Sequence, residues 1–220
     1  MPKNYVFIVT YGRSGSTLLQ SILNSIDGYR IQGENFNCLL HLYRSCKMLR
    51  NARNRNGPKV VDLPWLGANE IRVNRYISEV VRAFVVHVLQ PREEDRVIGF
   101  KEVRYGDMGD EELRGLLEFI EKSFNNCKII FNKRNADGVA ASSRKQGWFK
   151  GQPSDYVFAM VKRMDEFFDK AVQEEPGTRY IVNYDEYIMD NEKLRGLFEF
   201  LGEPFDLERL RSLLSVRLIH

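Results

Sequence analysis

The chain has 220 residues, 43% of them hydrophobic, with 33 lysines and arginines against 30 aspartates and glutamates, for a formal charge of +3. That length is enough for a single domain with a full core that needs no disulfide or metal staple. The charge is too small to point to nucleic acid, and no apolar run approaches the roughly 20 residues a bilayer crossing requires, so neither partner is expected.

Cys38, Cys46 and Cys127 are odd in number and scattered, without a CxxC pair or a histidine at zinc spacing. They read as reduced thiols. Met1-Pro2-Lys3-Asn4 runs directly into an apolar strand with no charged leader ahead of a longer apolar segment, so a cytoplasmic location is expected. Between residues 44 and 59, Arg44, Lys47, Arg50, Arg53, Arg55 and Lys59 occur with no acid among them. This run either faces an anionic ligand or is a solvated helix and loop.

Tyr5 to Val9 is a continuous apolar run, after which Leu18, Leu19, Ile22, Leu23 and Ile26 recur at helical spacing. A buried strand therefore passes into a helix across Thr10 to Thr17. Tyr29 to Gln32 reads as a second strand ended by Gly33. A helix over Leu39 to about Met48 follows and dissolves into a polar stretch from Arg50 to Lys59, where mobility is expected. The next helix should begin near Ala68 and carry apolar residues to Val88 before Pro91 ends it. Further strands are expected at 96–101, 128–132 and 179–183. Helices should cover 111–124, the stretch after an Asp137 N-cap, 154–172, and a segment capped by Asp190 that stops at Gly202. Alternating strands and helices predict a three-layer α/β sandwich around a parallel sheet of about five strands, P-loop NTPase-like in kind. The whole of 1–220 reads as one domain, with a helical and basic insertion around 36–92 contributing to a substrate site.

Two stretches carry the chemistry. Gly12-Arg13-Ser14-Gly15-Ser16-Thr17 lies between strand and helix N-terminus, where close backbone approach and the helix dipole favour an anion, above all a phosphate. It departs from the ATP-binding P-loop pattern, which has four residues between its glycines and then a lysine. Here two residues separate Gly12 and Gly15, no lysine follows, and Arg13 supplies the cation. The second stretch, Phe131 to Arg144, is again strand, turn and helix, with Arg134 at the turn and Ser142 two turns into the helix. Two phosphate sites at one end of a parallel sheet suggest a nucleotide phosphorylated at two positions.

Together these stretches resemble the PAPS-dependent sulfotransferase family, whose donor is 3′-phosphoadenosine 5′-phosphosulfate. Gly12 to Leu19 looks like that family's 5′-phosphosulfate loop in the Arg-containing form of Golgi-type and bacterial members. Arg134 with Ser142 looks like its 3′-phosphate motif. Asn183-Tyr184-Asp185-Glu186-Tyr187 with Phe200-Leu201-Gly202 is similar to its tyrosine-acid segment and the helix behind it, so the likeness spans residues 5 to about 206.

The resemblance implies an enzyme that moves a sulfonate from PAPS to a hydroxyl, or less readily an amine, of a small molecule or carbohydrate, leaving PAP. It implies PAPS contacts from Gly12, Arg13, Ser14, Gly15, Ser16, Thr17, Arg134, Ser142 and Tyr184. Arg13 would stabilise the leaving phosphate, and no metal is demanded. Glu34, directly after Gly33, resembles the family's GE element and is the candidate general base, with a pKa raised by partial burial. His41, His87 and His220 are weaker candidates, since none ends a strand; His87 reads as a core or boundary residue. Lys101, at the end of a strand, could bind sulfonate or acceptor, or simply pair with Glu102 or another acid.

There are also departures. Ala136 stands where relatives often have proline, and no C-terminal RKG loop closes the nucleotide site. Lys145, Lys150 or Gln146 to Phe149 could substitute, while Trp148 could equally be core. The rival readings are a small-molecule kinase using ATP and magnesium and a non-catalytic PAP-binding protein. Oligomeric state is not written in the sequence.

Overall fold

The computed structural model describes residues 4–55, 65–153 and 155–217. Five strands form one sheet: β1 (Asn4–Val9), β2 (Tyr29–Gln32), β3 (Val97–Glu102), β4 (Cys127–Lys133) and β5 (Arg179–Asn183). Their order is β2-β3-β1-β4-β5, and every pairing is parallel. Helices α1 (Ser16–Leu23), α2 (Cys38–Arg55), α3 (Val73–Phe84), α4 (Asp110–Ser123), α5 (Ala136–Gln146), α6 (Tyr156–Glu174), α7 (Tyr184–Met189), α8 (Arg195–Leu201) and α9 (Leu207–Arg217) connect or follow the strands.

The period of two along β1 builds two cores. Tyr5, Phe7 and Val9 pack with α2, α3, α4 and α6, whereas Val6 and Ile8 pack with α1, α8 and α9 on the other face. Both faces of the sheet are thus covered, giving the three layers that the alternation of strand and helix predicts. The stripe on α6 is core: Met160, Val161, Met164, Phe167, Phe168 and Ala171 are buried, and Phe168 stacks on Phe131 at 4.5 Å. At the far end of the sheet, β5 is tied to α4 by a buried bidentate pair. Arg179 Nε and Nη2 donate to Glu121 Oε1 and Oε2 at 2.8 and 2.7 Å.

Several boundaries differ from expectation. Ala68 to Glu70 form a single 3₁₀ turn, and the α-helix starts only at Val73. That helix widens into a π-turn over Val85 to Leu89, and Gln90 in left-handed backbone (φ 44°) ends it one residue before Pro91. α2 continues through Arg55 rather than dissolving at Arg50; the rest of the stretch expected to be mobile, 56–59 with Lys59, lies outside the described residues. The N-cap of α5 is Asn135, whose side chain accepts from the Gly138 N–H at 2.6 Å. Asp137 sits in the first turn, where its charge complements the helix dipole instead. Helices α7 and α9 were not legible as separate elements. The three cysteines are free, and among the described residues no helix is long and apolar enough to cross a membrane.

Candidate functional site

In this strand order β1 lies between β3 and β4, so the strand order reverses beside its C-terminal end, where open α/β sheets form their ligand crevice. All five strands deliver residues to that end. A cavity of about 240 Å³ there is lined by Gly12, Arg13, Gly15, Ser16 and Thr17 after β1. Glu34, Lys101, Arg134 and Tyr184, which follow or end the other four strands, line it as well, and Trp148 closes one side.

Hydroxyls beneath the loop fix its shape. Thr10 Oγ1 lies 2.8 Å from Ser14 Oγ and 2.6 Å from the Asn132 carbonyl, and Asn132 Nδ2 donates to the Ser14 carbonyl at 2.8 Å. Ser14 is fully buried, so its side chain supports the loop and faces away from the cavity. The expected contact of Ser14 with the donor is thus not one that its hydroxyl makes. Arg13 (φ 66°) adopts left-handed backbone, strain for a non-glycine residue that a simple connector does not need, and Gly15 (φ 81°) adopts the same conformation freely. A Cβ on Gly15 would stand 2.1 Å from Tyr184 Cδ2, and one on Gly12 would stand 2.4 Å from Trp148. Glycine at both positions lets the two rings close over the loop.

The two basic motifs meet. Arg13 Nε donates to Ser142 Oγ at 2.9 Å, and Arg134 Nη1 donates to the Arg13 carbonyl at 3.0 Å. The Arg134 guanidinium lies 4.6 Å from the Tyr184 ring centre, and that of Arg13 lies 6.0 Å from Trp148. Ser142 is therefore engaged by Arg13 and does not line the cavity itself. Arg134 Nε and Ser143 Oγ are buried without a hydrogen-bond partner. An unpaired guanidinium N–H beside a glycine loop suits an anionic oxygen, so these residues fit a phosphorylated nucleotide.

Tyr11, which sequence reasoning passed over, holds this corner. Its hydroxyl accepts from the Arg134 N–H at 2.9 Å and lies 3.0 Å from both the Arg134 carbonyl and Asp165 Oδ1. Burial, then the nearby Asp165 charge, pushes the phenol pKa far up, so it stays a neutral hydrogen-bonding strut.

On the opposite wall Lys101 is buried and donates from Nζ to Glu34 Oε1 at 2.7 Å, while Arg104 Nη1 donates to Glu34 Oε2 at 2.8 Å. Lys101 therefore pairs with Glu34 and not with its neighbour Glu102. Burial alone pushes the Glu34 carboxyl up, as expected from sequence, but the hydrogen bonds and charges of Lys101 and Arg104 outweigh it and hold the pKa below its ordinary 4.5. The expected raised pKa is thus reversed. Glu102 is fully buried and bonds to Arg104 and to four backbone N–H groups. In the sequence Glu102 stood out only as a possible partner for Lys101, and Arg104, three positions after Lys101, did not stand out at all.

The remaining candidates lie elsewhere. His41 and His87 are exposed, His87 on the π-turn rather than at a core boundary, and His220 lies outside the described residues. In the basic run, Arg44 pairs with Glu112 at 2.7 Å, and Lys47 and Arg50 line a separate cleft between α2, α3 and α4. Among the described residues of the run, none lines the cavity beside the glycine loop.

A parallel sheet with a glycine loop and a helix N-terminus at its switch point defines an α/β protein of the P-loop-like class. The profile of the sulfotransferase family matches residues 5–207, and the chain belongs to that family. No curated protein matches the chain. Among solved structures it is similar to the sulfotransferase domain of the olefin synthase from Synechococcus PCC 7002, with 20% identity, a TM-score of 0.61, and 93% of this chain and 75% of that one covered. It is also similar to a sulfotransferase from Alicyclobacillus acidocaldarius, with 17% identity, a TM-score of 0.51, and 98% and 90% covered. A third is mouse sulfotransferase SULT7A1 complexed with PAP, with 14% identity, a TM-score of 0.51, and 97% and 62% covered. At these identities the likeness concerns the fold.

Proposed function

We propose that the protein transfers a sulfonate from PAPS to a hydroxyl of a small-molecule or carbohydrate acceptor, as one cytoplasmic domain. The observation that carries this reading is the meeting of Arg13, Ser142 and Arg134 over one glycine loop, opposite the Glu34–Lys101 pair. A cavity of about 240 Å³ is smaller than most ligand pockets, which run to about 300–1,000 Å³, and suits the phosphosulfate end of a nucleotide.

PAPS supplies an activated sulfonate on a phosphate leaving group. Arg13, with the α1 N-terminus, meets the charge that grows on the leaving phosphate oxygen as transfer proceeds in line, by analogy with phosphoryl transfer. Arg134 and Tyr184 hold the nucleotide, and Arg134 Nε gains the acceptor it lacks. Lys101 carries three donors, so it can keep Glu34 and still bind a sulfonate oxygen. Glu34, ionised at neutral pH, takes the acceptor's proton. A sulfonate anion beside it offsets the cations that depress its pKa and makes it a better base as substrate binds. The acceptor enters along the loop that follows β2.

Thermal unfolding tests this reading. PAP at about 100 times its Kd should raise stability by about 2.7 kcal/mol, and ATP with magnesium should not. Arg13→Ala and Arg134→Ala should each weaken that response. A response to ATP with magnesium and none to PAP would favour a kinase instead.

A further inference from the structure

The loop from β2 into α2 places two successive non-glycine residues, Phe36 and Asn37, in left-handed backbone, both at φ 59°. Residues of this kind stay there only when their surroundings hold them. The holder is Glu102 at the end of the neighbouring strand β3. Its Oε2 accepts from the Asn37 N–H at 2.7 Å and the Asn35 N–H at 3.3 Å, on either side of Phe36. Its Oε1 accepts from the Val103 N–H at 2.8 Å and from Arg104 Nη1 at 2.7 Å. The same Nη1 lies 2.8 Å from Glu34 Oε2, and Asn37 Nδ2 donates to the Arg104 carbonyl at 2.9 Å.

Neutralising a buried carboxylate needs only Arg104. The bonds to Asn35 and Asn37 do something else: they tie to β3 the segment that begins at Glu34. Arg104 is caught between both carboxylates, and its guanidinium lies 4.4 Å from the Phe36 ring centre. Glu34 is thereby located twice, by its own backbone and by a cation that Glu102 also holds.

We propose that Glu102 is a positioning residue for sulfotransfer, one that sets where the Glu34 carboxylate stands through the loop at Asn35 to Asn37 and through Arg104. The inference rests on Glu34 acting as the base. Glu102 is fully buried and does not line the cavity beside the glycine loop, so its effect passes through Glu34.

A double-mutant cycle tests this. Turnover is read as PAPS and water giving PAP, sulfate and two protons, so the probe is PAPS alone. Glu102→Gln should lower kcat by about 100-fold, the scale of an ångström misplacement, and leave the KM for PAPS and the affinity for PAP within about twofold. In a Glu34→Gln background the same substitution should change kcat by less than about twofold. An equal loss in both backgrounds would show a general structural role and overturn the proposal. Amide exchange in the unaltered protein is an independent arm: the Asn37 N–H should be protected, and free exchange there would also overturn it. Failure of the unaltered protein to bind PAP would remove the sulfotransfer reading instead, and the Asn37 exchange would still decide whether Glu102 holds the loop.

Discussion

Glu34 is placed against two cations that act in opposition to its burial. Its folded pKa is depressed, so the stability it contributes is fully present above the ordinary carboxylate value of 4.5 and is lost as pH falls through the folded value. The unfolding free energies of the unaltered protein and Glu34→Gln, compared from about pH 7 to about pH 3, should differ by a constant amount down to about pH 4.5 and converge as pH falls through the folded value. A gap that widens on acidification would contradict the pairing. At this scale the sequence shows Arg13, Arg134 and Glu34 because each ends a strand or opens a helix. It hides the sign of the Glu34 shift, which depends on Lys101 and Arg104 arriving from a strand that is its neighbour only in the folded sheet. It likewise hides the inward turn of Ser14, since a hydroxyl in a loop reads the same whether it faces ligand or core.

The elements were legible where hydrophobic periodicity is strong. The five strands and α6 are such cases, because a continuous apolar run and a one-sided stripe each leave few alternatives. Boundaries set by caps and turns were less so, since the side-chain cap of α5 and the π-turn after α3 leave weak marks in sequence. The Arg179–Glu121 pair could not be foreseen, joining as it does a strand and a helix 58 positions apart. It gives the edge strand β5, which leads into Tyr184, a fixed seat on α4. Glu121→Gln would leave a guanidinium only 3% exposed without its bidentate partner, so a loss of about 3–5 kcal/mol in urea unfolding is expected. A loss below about 1 kcal/mol would mean that Glu174, at 3.8 Å from Arg179, is compensation enough.

For the molecule as a whole, the sheet order explains why motifs about 120 positions apart meet: β1 and β4 are neighbours, so the loops after them share one end of the sheet. That much follows from strand and helix alternating around one sheet. The route of the acceptor does not, because Lys47 and Arg50 of the basic run expected to line it face a cleft between α2, α3 and α4. The central claim is that a sulfonate moves, and following the label from sulfur-35 PAPS into a panel of hydroxyl-bearing acceptors tests it most directly. The unaltered protein should transfer the label to an acceptor and release PAP, while Glu34→Gln should bind PAP as well and transfer little. Label that stays on the nucleotide with every acceptor, in a protein that moves the γ-phosphate of ATP instead, would contradict the account.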